Sequence, residues 1–426
     1  MRERLSLDAR RSFHPSASLF STRPTASNAT LPNSRRHEHD TGLTTSRPPV
    51  TTRDAEMDLG TIGKVPTCAT TTGRACESNE PAASADVDTF LVTVYCLIDD
   101  VYRRYAGPVR AHLPGRPGEL SDSEVLTLAV LAQWQPRGSE RQFIAWAATH
   151  WRAYFPRLLS QSAFNRRARQ LYGVLAQLSG WIRTAVEDQV DGRRVYEIID
   201  GVPVPLMRRC RGQRRHSFGS EADFGRGGSD KELYYGVKLL AAVDQAGFVT
   251  GWVVGPASTE EHWLAEALFM WRQQPGAPAP SAAALADVLG PTHHYGGQRH
   301  GPRGPMRGRL SAGPSFAGPT LADLGFQGAA WRRHWRADWG AAVLLKSDYA
   351  EGPDRQRAVQ WFNGLRHAIE TTFSCLESQL RLKFPRARTY WGLLTRLAAK
   401  ISAYNLAIAI NYLLGRPTYA LFNPLG

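Results

Sequence analysis

Cysteine is scarce in this sequence and poorly placed for any framework. The five residues, Cys68, Cys76, Cys96, Cys210 and Cys375, are scattered, odd in number and never spaced as CxxC. This argues against a disulfide scaffold or a zinc ribbon and fits a reducing cytoplasm. Lysine is also rare, only six of 52 basic residues, so arginine carries the positive charge. No uninterrupted apolar run reaches about 18 residues, the length a membrane helix needs, so no membrane partner is expected. Residues 1–85 carry few large aliphatics and show neither helical nor strand periodicity. Rich in Ser, Thr, Pro and Arg, they cannot bury enough surface to offset chain entropy and are expected to be a disordered tail. Their start has the composition of a transit peptide, but Met57 offers another initiation point, and an over-extended gene start or an unstructured tail is the preferred reading.

What is present is ample for a core: 426 residues, 42% of them apolar, with 12 Trp, enough for two domains of ordinary size. The formal charge of +14 and a pI near 9.9 point to a polyanionic partner, with nucleic acid the leading candidate. The plainer alternative is the arginine excess of a high-GC genome.

From Val87, apolar residues recur at three- and four-residue intervals, which predicts an amphipathic helix. Ser121 and Glu124 form an S-x-x-E capping box before VLTLAVLAQW. Helices follow near 140–151 and 162–186. In SAFNRRARQLYGVL, Arg166, Arg167 and Arg169 ride beside an apolar stripe; the face either lies on DNA or is simply solvated. After Gly192 come three strand-like runs, VYEIID, YYGVKLLAAVD and FVTGWVVG, with a hairpin turn at Asp244–Gly247. A helix from about Thr259 to Trp271 has Glu260 and Glu261 in its first turn, where carboxylates suit the helix dipole. Residues 273–318 form a Gly/Pro-rich insertion; a short strand to Asp323, a helix, the strand AAVLLKS and two long helices follow. The expected organisation is a helical domain over 86–190, an α/β domain over 191–416 and a short tail over 417–426.

Three acids stand out by position. Asp200 closes the apolar run VYEIID and Asp323 follows another short apolar run, each beside a turn-forming glycine; either alone reads as a turn former. Glu370 borders the buried stripe Leu365, Ile369, Phe373 and Leu376 of a long helix, with Arg366 one turn earlier, close enough to pair with it or with a phosphate. Asp287 and Asp338 are the nearest rivals to Asp323.

The run IIDGVPVPL, the block LADLGFQGAAW and the closing LRHAIETTFSCLESQLRLKFPRARTYWGLLTRLAAKISAYNLAIAINYLLGRP resemble DDE transposases of bacterial insertion sequences, in the IS-four-like superfamily. The resemblance spans about 90–416 and includes LSDSEVLTLAVL and SAFNRRARQL. It implies an α/β fold: an RNase-H-like mixed β-sheet flanked by helices and preceded by a small all-α DNA-binding domain. The family's acids fall on Asp200, Asp323 and Glu370, implying two Mg²⁺ (or Mn²⁺) ions, with Asp200 bridging both. Two such ions activate an attacking oxygen and stabilise a leaving one, so cleavage and strand transfer need no protein nucleophile.

The chain departs from the family's pattern at Leu324, where lysine is common, and at Asn363 and Glu377, where many relatives carry Tyr and Lys. The basic contact of that helix then passes to Arg381, Lys383, Arg386 and Arg388. Other expected phosphate contacts are Arg166, Arg167, Arg208, Arg209, Arg211, Arg214, Arg215, Lys238 and Arg366, with Arg396 and Lys400 on one face of the last helix. The implied partners are double-stranded DNA, both terminal inverted repeats and target, and a second copy of the chain on that DNA, in a bacterial nucleoid. A nuclease without strand transfer and an inactive DNA-binding remnant are the competing readings.

Overall fold

The computed structural model describes residues 87–421 apart from 111–117, 135–137, 188–189, 191–193, 213–217, 228–231, 317, 350–354 and, across the Gly/Pro-rich insertion, 274–293, 296–297 and 300–315. The expected disordered start and most of the insertion, with Asp287, lie outside the described residues, as do the last five positions.

Five helices of ten or more residues come first. Helix α1 (Val87–Val101) buries Phe90, Leu91, Val94 and Ile98, the spacing read from the sequence. Helix α2 (Asp122–Trp134) opens with the capping box: the Glu124 amide donates to Ser121 Oγ at 3.2 Å and the Ser121 amide donates to Glu124 Oε2 at 2.6 Å. Helix α3 spans Glu140–His150. The single helix expected over 162–186 is two, α4 (Gln161–Gln170) and α5 (Tyr172–Ala185). They part at Leu171, whose backbone (φ −89°, ψ 7°) leaves the helical range while its side chain is fully buried. The leucine stays in the core at this break, and Gly173 follows two residues on.

The sheet comprises β1 (Glu197–Met207), β2 (Asp223–Gly227), β3 (Glu232–Asp244), β4 (Val249–Pro256), β5 (Pro319–Ala322) and β6 (Ala342–Leu345). Strand β3 pairs antiparallel with β1, β2 and β4; β5 pairs parallel with β1, and β6 parallel with β5. Strands β2 and β4 lie end to end along one side of β3, so the order across the sheet is β4/β2, β3, β1, β5, β6. The β3–β4 turn forms where the sequence placed it: Gly247 takes φ +86°, and the Asp244 carboxylate accepts from the amides of Ala246 and Phe248.

Strand β1 runs further than its apolar start suggested. It continues past Asp200 through Val202 and Val204, so Asp200 lies within the strand and not at its end. Pro203 and Pro205 are tolerated because β5 pairs only with residues 197–199 of β1, leaving one side of the later half free. The Pro205 carbonyl faces that free side, accepting from the Phe384 amide at 2.9 Å.

Alternate β1 residues feed two cores. Ile198, Val202 and Val204 face the layer of α1–α5, α8 (Arg355–Ser378) and α9 (Tyr390–Leu413), while Ile199 faces α6 (Glu261–Gln273) and α7 (Ala329–Trp339). The described architecture is thus a mixed sheet flanked by helices on both faces, with the leading helices sharing the sheet's core. On the second face, buried Glu266 of α6 accepts from the indole N–H groups of Trp335 and Trp339 at 2.9 and 2.8 Å, fastening α7 to α6.

Helix α9 is buried on nearly every side. Among the described residues it is long and apolar enough to cross a membrane, and 94% of its apolar window is buried within the fold. Its few polar side chains are spent on backbone. Asn405 accepts from the Val249 amide at 2.9 Å and donates to the carbonyls of Val249 and Ser179, while Tyr404 Oη donates to the Gly247 carbonyl. Asn405 therefore ties α5, α9 and β4 together at one buried point. Replacing Asn405 with Leu leaves the Val249 amide unpaired, and urea unfolding should show a loss of about 2–4 kcal/mol; a loss below the experimental error would contradict this role.

Candidate active site

The parallel register of β1 and β5 pairs Ile199 with Ala322, so the next residue on each strand, Asp200 and Asp323, emerges at the same level on neighbouring strands. Both lie on the α8 face, continuing the alternation of Ile198 and Leu321. Arg366 of α8 spans them, with Nη2 at 3.5 Å from Asp200 Oδ2 and 3.9 Å from Asp323 Oδ2. Each aspartate is also held locally: Asp200 Oδ1 accepts from the Gly201 amide at 2.7 Å, and Asp323 caps a 3-10 turn by accepting from the Gly325 amide at 2.8 Å. Asp338, a rival on sequence, lies elsewhere, at the end of α7, and pairs with His334.

A further acid, read from sequence only as a helix-dipole residue, flanks both aspartates. Glu261, the first residue of α6, sets its carboxylate against Gly201 and Gly325. A Cβ on Gly325 would lie 2.4 Å from Glu261 Oε2, and one on Gly201 would lie 3.1 Å from Oε1. The glycines beside the aspartates are thus the space Glu261 occupies. Lys238 of β3 reaches Glu261 Oε1 at 3.5 Å. Three acids and two cations therefore meet where β5 ends beside β1. Burial foremost, then the charge of Asp323, with a smaller push from Glu261, raises the Asp200 pKa to about 6 against the pull of the Gly201 amide and Arg366.

Glu370 stands apart from this group. It lies one turn beyond Arg366 on α8, exposed, with its carboxylate 3.3 Å from His367 Nδ1. Among the described residues no group of three or more His, Cys, Asp or Glu side chains forms a ready-made metal cage.

The expected phosphate contacts fall into three kinds. Arg166, Arg208, Arg209, Arg386 and Arg388 are exposed. Arg167 pairs with Asp122, joining α4 to α2, and Arg396 pairs with Glu140 at 3.3 Å while donating to the Pro385 carbonyl. Lys400 does not share a surface with Arg396: it is buried, and its ammonium donates to the Leu380 carbonyl at 2.5 Å and to Gln133 Oε1 at 2.9 Å. Arg214, Arg215 and the side chain of Arg211 lie outside the described residues.

No protein-family model matches this chain, and no curated protein compared with it matches either.

Two titrations follow. Glu261→Gln should lower the Asp200 pKa and Arg366→Gln should raise it, read by carbon-13 NMR of the Asp200 carboxyl; shifts of opposite sign would contradict the arrangement. Burial, with help from Arg396 and Arg381, lowers the Lys400 pKa from 10.5 to about 7. Below about 7 both folded and unfolded chains carry the proton, so Lys400 adds no pH dependence. Between about 7 and 10.5 only the unfolded chain keeps it, so stability rises with pH. Wild-type stability should therefore climb relative to Lys400→Met across that window, by at most about 1.4 kcal/mol per pH unit, in denaturant titrations. A flat difference would place the ammonium in a wetter setting.

Proposed function

We propose that this chain is a DDE-type DNA transposase with an RNase-H-like catalytic core, cleaving phosphodiesters at the ends of an insertion sequence and joining them to target DNA. The observation that carries the proposal is the β1–β5 register that sets Asp200 and Asp323 side by side under Arg366. Fold alone does not assign chemistry, so the weight rests on these placed acids. The sheet order supports the reading, with the four antiparallel strands β1–β4 followed by two parallel strands, and so does the sequence resemblance around all three acids.

The donor set fits a hard divalent cation. Magnesium or manganese takes carboxylate oxygens, and magnesium commonly uses one or two of them, with water and phosphate completing its shell. Asp200 and Asp323 would hold it; Glu370, which stands apart from them here, is the third acid by the sequence resemblance alone. When bound, the metal supplies activation of the attacking oxygen and stabilisation of the leaving oxygen.

The chain's own residues do the rest. Asp200, with its raised pKa, needs positive charge beside it to stay ionised, and Arg366 provides it in the free protein. The same guanidinium is placed to turn to a substrate phosphate, which offers it a paired set of oxygens. Lys238 balances Glu261 behind the aspartates, and exposed Arg208 and Arg209, at the far end of β1, position flanking phosphates.

The test is incubation of the purified protein with Mg²⁺ and DNA carrying the element's inverted repeats, with products resolved on a gel. Cleaved and joined products are expected; cleavage without joining would favour a nuclease. Asp323→Asn should cut the rate about a thousandfold, since several kcal/mol of charge stabilisation depend on this acid, and cleavage at the wild-type rate would overturn the assignment. Glu370→Gln beside Glu261→Gln identifies the acid that completes the pair.

A further inference from the structure

Between α8 and α9 the chain makes an unusual loop. Within six residues, Arg381, Phe384 and Arg386 take φ of 54°, 55° and 57°, the left-handed region that side chains disfavour by about 1–2 kcal/mol each. Such strain persists only where the surroundings fix it. Here the Lys400 ammonium holds the Leu380 carbonyl, Arg396 holds the Pro385 carbonyl, and the Phe384 amide donates to the Pro205 carbonyl of β1. Leu380, Leu382 and Pro385 plug the core, while Arg381, Phe384, Arg386 and Arg388 face solvent. The strained backbone thus turns three arginines and a half-exposed phenyl ring outward from a firmly held base.

This loop forms one wall of a cleft of about 880 Å³; helices α3 and α4 form the other, adding Arg141 and Arg169. Glu140 is the acid in the lining, and it is already occupied: Gln161, Asn165 and Arg396 donate to its two oxygens. Among the described residues, Arg141, Arg169, Arg381, Arg386 and Arg388 take part in none of the ion pairs. Uncompensated guanidinium groups on facing walls call for a ligand with repeated negative charge. An aromatic ring exposed among them adds a platform for a flat, uncharged group. Phosphates in series beside flat bases describe a nucleic acid strand.

We propose that this cleft is a DNA-binding surface separate from the carboxylates, its arginines gripping the phosphate backbone while Phe384 stacks on a base displaced from the duplex. The proposal rests on the reading of the chain as a DNA transposase, and the carboxylates take no part in it. A phenyl ring on a rigid basic loop can fill the gap left by an unstacked base, as apolar wedges do where duplexes are kinked.

The test uses the full chain, in buffer with chelator so that no cleavage occurs, and a short fluorescein-labelled duplex titrated over a range of salt. The wild-type association constant should fall linearly with salt on logarithmic axes. The variant Arg381→Asn/Arg386→Asn/Arg388→Gln should lower that slope by about 3, one per lost phosphate contact. Asn tolerates a positive φ, so the loop keeps its shape. Arg388→Gln alone, at an ordinary backbone position, should lower the slope by about 1 and guards against misfolding of the triple variant. For the ring, a duplex with one bulged 2-aminopurine should be quenched by wild type but not by Phe384→Asn, which should bind that probe about tenfold more weakly.

The outcomes separate. Wild-type binding that ignores salt overturns the DNA reading and the cleft with it. Salt-dependent wild-type binding with an unchanged slope in both arginine variants overturns the cleft alone. Equal quenching by wild type and Phe384→Asn removes the stacking. Preferential binding to phosphatidylglycerol vesicles through the same arginines would make the surface one for lipid and overturn the proposal.

Discussion

Asp200 and Asp323 are 123 positions apart in the sequence, and a single structural constraint makes them neighbours: the parallel pairing of Ile199 with Ala322. A shift of one residue in that pairing would send one carboxylate to the opposite face, because side chains alternate along a strand. Register is held where both faces are buried, and here Ile198 and Leu321 enter one core while Ile199 and Ala322 enter the other. The packing of both cores is therefore what places the acids. Strand β5 is only four residues long, so nearly all of its side chains serve this purpose.

Helix α9 plays the complementary part on the other side. Its polar groups act from within the core and reach backbone that would otherwise go unpaired: the β3–β4 turn through Tyr404, the start of β4 through Asn405, and the loop after α8 through Lys400. Burying an ammonium costs free energy, and burial accordingly lowers the pKa of Lys400. The group is kept where it holds the Leu380 carbonyl, just before the left-handed Arg381. Helix α8, which ends at that loop, carries Arg366 over the aspartates, so one helical hairpin serves both the acids and the basic cleft.

Much of this was legible in the chain. The leading helix and its spacing, the capping box at Ser121 and the hairpin at Gly247 are local features, set by residues within a few positions of each other, and they appear where the sequence put them. Asp200 and Asp323 each stand out as an acid after a short apolar run near a glycine, and the fold shows them as neighbours. Other features depend on contacts that no local window contains. The prolines of β1 look like the end of a strand until its neighbour is seen to stop first. The break at Leu171 falls on a fully buried residue inside an unbroken apolar stripe, so the periodicity does not mark it. Glu261 looks like an ordinary first-turn acid, because only the fold brings α6 to the middle of β1 and the end of β5. Arg396 and Lys400, one turn apart, suggested one wet face; a helix buried almost all round has no such face to read.

The free half of β1 has a bearing on self-association. Exposed strand edges invite other chains to extend the sheet, and proline is one of the residues that blunts them. Along this stretch Pro203 has no amide to offer, Pro205 has none either, and the Pro205 carbonyl is already taken by the loop after α8. The site end of the sheet is therefore closed to templated strand addition. Any chain that meets this edge must be recognised through side chains, so the surface beside the acids can stay open without becoming a seed for aggregation.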